Sequence, residues 1–186
     1  VAGAAASAAA APPGAGDMPG PNRFARLLRH CFMFGRGAKR RFPAATMDRI
    51  EERVTQAERA HGAEIRIAIE IALPPAAILA GQTPRERALE VFGGLRVWDT
   101  EANNGILVYM LLADHAVEIV ADRGAARRVA PEVWERACRI LADACREGRE
   151  EEGTLAAIDV LDEALVEAFP PRSGEADEMP NRPIIV

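Results

Sequence analysis

Residues 98–124 read WDTEANNGILVYMLLADHAVEIVADRG, and the fold follows from this stretch. Ile106 to Leu112 is a near-continuous apolar run, which predicts a central strand covered on both faces. A second run, Val117 to Ala121, follows after Asp114 and His115. That link is too short for a crossover, so the two strands must be antiparallel neighbours. Antiparallel pairing brings the start of one strand beside the end of the next. Asp99 to Gly105 and Asp122 to Gly124 therefore meet at one edge of the sheet.

Working outward, Ile65, Ile67, Ile69 and Ile71 recur at period two and predict another strand. It is preceded by a helix from Pro43 to His61 with Met47, Ile50, Val54 and Ala57 inward, stopped by Gly62. A protonated His61 would favour the dipole at that helix's end. Thr83, Pro84 and Glu86 supply an N-cap, an N1 proline and a capping-box acid for a helix with Ala88, Leu89, Val91, Phe92 and Leu95 inward. Pro131 opens a helix to Gly148 with Val133, Trp134, Ala137, Cys138, Leu141 and Cys145 inward, and a last helix runs from Gly153 to Phe169. The order predicts a three-layer α/β/α sandwich around a small mixed sheet, its first two strands parallel through a right-handed crossover.

The flanks differ from this domain. Residues 1–21 are Ala, Gly and Pro with little to bury, which predicts a disordered leader. Residues 22–42 predict a short basic amphipathic helix and a hinge. Phe24, Leu27, Leu28, Cys31 and Phe32 fall at helical spacing, while Arg23, Arg26, Arg29 and His30 take the other side. Such a helix suits a membrane surface, a protein partner, or the acidic domain of its own chain. The domain spans 43–170, and residues 171–186 read as an extended tail able to dock Ile184, Ile185 and Val186.

The net charge of −5 over 186 residues is unevenly spread. Residues 1–42 hold seven bases against one acid, Asp17, so that segment is +6 and the remainder is −11. An acidic folded body argues against nucleic-acid binding. Cys31, Cys138 and Cys145 lack zinc-site spacing, and the latter two are too far apart along one helix for a disulfide. Free thiols fit a reducing compartment, so the chain as given reads as cytoplasmic; it begins with Val, and an upstream export or anchor segment is left open.

The edge that gathers Asp99 to Gly105, Asp122 to Gly124 and the helix start at Pro131 is rich in carboxylates and amides, with Arg123 among them. Oxygen ligands of this kind suit Ca²⁺ or Mg²⁺, and an Arg beside them suits a phosphate. An EF-hand is excluded, because Asn104 stands where its Gly is required and Met110 where its closing Glu belongs. The bland alternative is turn and cap chemistry, with Gly105 and Gly124 serving backbone geometry. Gly93 and Gly94 lie inside a helical pattern, where they cost stability or mark close packing. Glu150 to Glu152 read as a solvated helix start.

Three motifs in order, Trp98 to Glu101 with Asn103 to Tyr109, then Ala121 to Gly124, then Arg146, Gly148 and Gly153, resemble the TPM domain family over residues 43–170. That family includes the thylakoid-lumen phosphatase-like proteins and many bacterial proteins of undefined role. The resemblance implies an α/β/α sandwich, divalent-cation binding and, for some members, acid phosphatase activity. Carried over residue by residue, it makes Asp99 and Asp122 candidate metal ligands, with Asn104 and Arg123 shaping the pocket or holding substrate. Cys145 and Glu150 depart from it, standing where aromatics are common. Two functions remain open: a non-catalytic binding or recruitment module with a divalent cation at the acidic edge, or a metal-dependent acid phosphatase-like hydrolase using a metal-bound water.

Overall fold

Every residue of β1 (Glu64–Glu70) and β2 (Gly105–Leu111) is buried, so both strands need cover on both faces. The structure, a computed structural model, describes residues 23–34, 41–171 and 178–186. The expected leader, and the hinge at 35–40, lie outside the described residues. β1 and β2 are parallel, with Glu64 opposite Gly105 and Glu70 opposite Leu111. β3 (Ala116–Ala121) runs antiparallel to β2, joined to it by one 3-10 turn, Leu112–Asp114, and by His115 in the left-handed region. The sheet order is β3-β2-β1-β4. Its fourth member, β4 (Ile184–Ile185), pairs parallel to β1 at Ala68 and Ile69, so the tail that sequence reading docks on the surface in fact completes the sheet.

One face carries Ile65, Ile67, Ile69, Ile106, Val108 and Met110 and packs on three helices. These are α2 (Ala44–Ala60), α6 (Pro131–Arg146) and α7 (Glu150–Ala168), all close to their expected bounds. α6 and α7 pack most extensively on one another. A Cβ at Gly153 would lie 2.3 Å from that of Ala144, so only Gly permits this approach, while Gly148, at φ +74°, turns the chain between them. These contacts give the third motif a packing role. α7 begins three residues earlier than expected. Glu150 is buried against Arg41 at 2.9 Å rather than solvated, and Glu151 binds Arg49 and Thr46.

The other face carries Ala68, Leu107, Tyr109 and Leu111, covered by α1 (Arg23–Phe34), α3 (Pro75–Ala80) and α4 (Pro84–Gly94). The Thr83 and Glu86 capping box opens α4 as expected. Ala88 and Val91 face in, but Leu89 is exposed. Charged residues also fall on this face, and each is paired. Glu70 accepts from the Tyr109 hydroxyl at 2.7 Å and from Arg87 at 2.8 and 3.1 Å, tying α4 to the sheet. Burial, with the Glu70 carboxylate behind it, raises the Tyr109 hydroxyl far above the ordinary phenol range.

α1 forms as expected but turns the opposite way. Leu27 joins the second core and His30 is buried, whereas Phe24, Leu28 and Phe32 face outward. Asp114, in the β2–β3 turn, is the cause. It accepts from Arg26 at 2.8 and 3.0 Å, from Arg29, and from His30 Nε2 at 3.0 Å, so the basic side is drawn inward. His30 Nδ1 accepts from the Leu73 N–H at 2.9 Å, which assigns the ring proton to Nε2. Burial alone would raise the Asp114 carboxyl, but the His30, Arg26 and Arg29 bonds outweigh it and hold it well below the usual carboxylate range.

A Cβ at Gly105 would sit 1.9 Å from the Val97 carbonyl oxygen, whereas one at Gly93 meets nothing within 4 Å. Gly105→Ala is therefore expected to cost about 3 kcal/mol or more. Gly93→Ala should instead stabilise α4 by about 0.5–1 kcal/mol. Urea unfolding midpoints at constant slope check both, and a neutral Gly105→Ala would contradict the contact.

Candidate functional site

The edge expected from the hairpin argument is present. It lies at the N-terminal ends of β1 and β2, beside the C-terminal end of β3. The helix start there is α5 (Arg123–Arg128), an element missed in the sequence, rather than the one opened by Pro131. Asp122 caps α5: its Oδ1 accepts from the Arg123 N–H at 2.7 Å, and its own N–H donates to the Gly105 carbonyl at 2.8 Å. The Asn103 carbonyl accepts from the N–H groups of Gly124 (2.8 Å) and Ala125 (3.3 Å), so the chain itself fills the first turn of α5. A Cβ at Gly124 would lie 2.5 Å from that same oxygen, which explains the glycine of the second motif.

Asn104 is buried at 2% exposure. Its Nδ2 donates to the Gly62 carbonyl, its N–H donates to Thr100 Oγ1 at 3.1 Å, and its carbonyl accepts from the Glu64 N–H at 3.4 Å. These bonds lock the side chain while leaving Asn104 Oδ1 buried with no partner; Asp122 Oδ2 is in the same condition. Two orphaned oxygens thus occur at one sheet edge, on residues flanking the Gly105 to Asp122 bond. Arg123 is half-exposed, with Nε 3.9 Å from Asp122 Oδ1 and one weak bond of 3.4 Å to Asn103 Oδ1. Asp99 belongs to the same loop, but its carboxylate is on the surface, 2.5 Å from Arg96. The structure therefore sets Asp122 beside Arg123, places Asn104 at the same edge one residue out of register with the Gly105 and Asp122 pair, and leaves Asp99 turned aside. Among the described residues no three His, Cys, Asp or Glu side chains converge to hold an ion. A cation at this edge would need the Asn104 amide oxygen as well as carboxylate.

Two further groups border the edge. Glu64 accepts from the N–H groups of Glu178 and Met179, both at 3.2 Å, and Arg66 donates to the carbonyls of Pro180 and Arg182, the latter at 2.7 Å. The Glu178 carboxylate accepts from the Glu101 N–H at 3.2 Å, so the tail also braces the candidate loop. The signal for this clamp was present in the sequence: Glu64, Arg66 and Glu70 interrupt a strand otherwise buried on both sides. Cys138 and Cys145 are both pushed up to about 12, chiefly by burial, which leaves them protonated.

Residues 39–164 match the family profile of the TPM domain. The chain belongs to the TPM domain family. Among solved structures, this TPM domain is similar to the BA42 protein of the psychrophilic bacterium Bizionia argentinensis sp. nov., determined by NMR. The TM-score is 0.68 at 24% identity, over 77% of this chain and 94% of that one. That likeness concerns the fold. No curated protein matches the chain. In the TPM domain described here, α1 and β4 both lie outside the profile match; α1 packs on the second face of the sheet, and β4 is the sheet's edge strand, adding Ile184 to the core on that face.

His61 sits beside the edge as the C-cap of α2, fully buried. Its Nδ1 accepts from the Ala63 N–H at 3.2 Å and its Nε2 lies 3.8 Å from Asp162 Oδ1. Burial lowers its pKa from the ordinary 6.5, so the ring is neutral rather than the cation expected at a helix end. Above about pH 6.5 both folded and unfolded states hold it neutral and the stability is intact; below it the unfolded chain takes up the proton first. Stability should fall with decreasing pH by at most about 1.4 kcal/mol per unit from this group. Urea unfolding of wild type and His61→Gln between neutral and mildly acidic pH tests this: the variant should have the shallower acid dependence.

Proposed function

We propose that this TPM domain binds a divalent cation, Ca²⁺ or Mg²⁺, at the sheet edge through Asp122 and Asn104, and that it acts as a binding module rather than as a hydrolase. The observation that carries the reading is the pair of buried oxygens, Asn104 Oδ1 and Asp122 Oδ2, without hydrogen-bond partners. A buried oxygen left unsatisfied costs about 1–3 kcal/mol. A hard cation relieves such a cost at both atoms, and carboxylate and amide oxygens are the ligands it prefers. Asp99 is the third candidate ligand once its carboxylate leaves Arg96. When bound, the ion supplies positive charge at an edge that otherwise gathers acids. The non-catalytic reading is supported by the first turn of α5, whose N–H groups are engaged by Asn103 and by the Asp122 carboxylate rather than open to a phosphoryl group.

Acid phosphatase activity is the second reading, and the half-exposed Arg123 guanidinium beside Asp122 favours it. Arg suits phosphoryl oxygens, and it is the residue expected to hold substrate in that case.

Calorimetric titration of the full chain with Ca²⁺, Mg²⁺ and Mn²⁺ tests the proposal. Asp122→Asn keeps a good cap but loses a charged ligand, and its affinity is expected to drop roughly ten- to hundredfold. Asp99→Asn should lose less. Absence of heat with every ion, or unchanged affinity in Asp122→Asn, would overturn the cation site. Hydrolysis of p-nitrophenyl phosphate that requires both the ion and Arg123 would replace the binding-module reading with the phosphatase.

A further inference from the structure

The outward side of α1 is apolar and exposed. Phe24, Leu28 and Phe32, spaced four apart and hence in one row, are 64%, 43% and 71% exposed. Exposed rows of this kind in a soluble fold mark contact surfaces. Their orientation is fixed by the other side of the helix, where Arg26, Arg29 and His30 converge on Asp114, and His30 also caps the Leu73 N–H. The row is thus presented rigidly, not left over from a helix free to roll. α3 packs against α1 and adds Leu79, itself 62% exposed.

We infer that this face docks on an anionic lipid surface, with Phe24, Leu28 and Phe32 entering the boundary between headgroups and acyl chains. Charge selects that occupant. The chain is acidic, yet the twelve residues of α1 and the six of α3 contain no Asp or Glu. These two acid-free helices are where a body carrying −11 can approach negative lipid; residues 1–42, to which α1 belongs, carry +6, and with Asp114 and Glu150 set against Arg26, Arg29 and Arg41 they still carry a net 6 − 2 = +4. Arg23, exposed at the start of the helix, borders the row. At 1.5 Å per residue α1 is roughly 18 Å long, too short to span a bilayer but sufficient to lie in its interface. No helix among the described residues is long and apolar enough to cross a membrane. This docking is independent of the cation site, which lies on the opposite end of β2 from the Asp114 anchor.

The test is co-sedimentation of the full chain with vesicles of phosphatidylcholine alone and of phosphatidylcholine mixed equally with phosphatidylserine. Binding is expected on the mixed vesicles, weakened by salt, and reduced roughly tenfold or more in the double variant Phe24→Ser, Phe32→Ser. Leu89→Ser, which alters an exposed leucine on α4, should bind as wild type does. Circular dichroism and urea midpoints establish that the variants fold. No binding to the mixed vesicles, or equal binding by the double variant, overturns the proposal. So does sedimentation velocity showing a dimer that the double variant dissociates, since a second copy of the chain would then be what covers the row.

Discussion

A parallel strand pair covered on both faces cannot carry a charge without a partner built for it, and much of this molecule is the consequence. β1 is buried throughout, yet it includes Glu64, Arg66 and Glu70. An uncompensated buried charge costs several kcal/mol, so each must be answered by the fold. Glu70 is answered by Arg87 and Tyr109, which fixes α4 on the sheet. Glu64 and Arg66 are answered by the backbone of residues 178–182, which fixes the tail. Asp114 repeats the theme at the turn after β2, recruiting α1. The second face is thus assembled from charge satisfaction as much as from apolar burial.

At the candidate site, as at a few other places among the described residues, this rule is not fully met. Loop and helix are pressed together so closely that Gly124 admits no side chain, and in the first turn of α5 the Gly124 and Ala125 N–H groups go to Asn103 and that of Arg123 to Asp122. Asn104 and Asp122 each spend some of their capacity on backbone geometry and each retain one buried oxygen unused. Both roles coexist in the same residues: turn chemistry accounts for one half of each side chain and not for the other.

The three sheet strands, the antiparallel hairpin, the four long domain helices and the TPM family were legible in the sequence because periodicity and turn length constrain them strongly. So was the placing of the 99–105 and 122–124 segments at one edge of the sheet, since it follows from a two-residue link. Three features were not. α5 hides in Arg123 to Arg128, a segment too short and too basic to show an apolar period. The rolled orientation of α1 depends on Asp114, 84 residues from His30, and no local pattern reveals that a buried acid will outbid a row of phenylalanines. The surface position of Asp99 depends on Arg96, whose φ of 57° reorients the chain just before the loop.

The tail has a further effect on the exposed margins of the sheet. β3 is one margin, and there Arg85 donates to the Ile119 carbonyl at 2.8 Å, occupying a group that a foreign strand would use. At the other margin, β4 covers only Ala68 and Ile69, while the Arg66 bonds to Pro180 and Arg182 reach back across 114 and 116 residues of chain. A contact that closes so long a loop is gained late in folding and given up early in local opening. Whenever it lets go, β1 offers an isoleucine-rich edge with unpaired amides, a template for strand addition by any neighbouring chain. The few residues of β4 therefore act as a gatekeeper against self-association, and the two proline residues beside them, Pro180 and Pro183, keep the covering segment itself from extending into a longer adhesive strand.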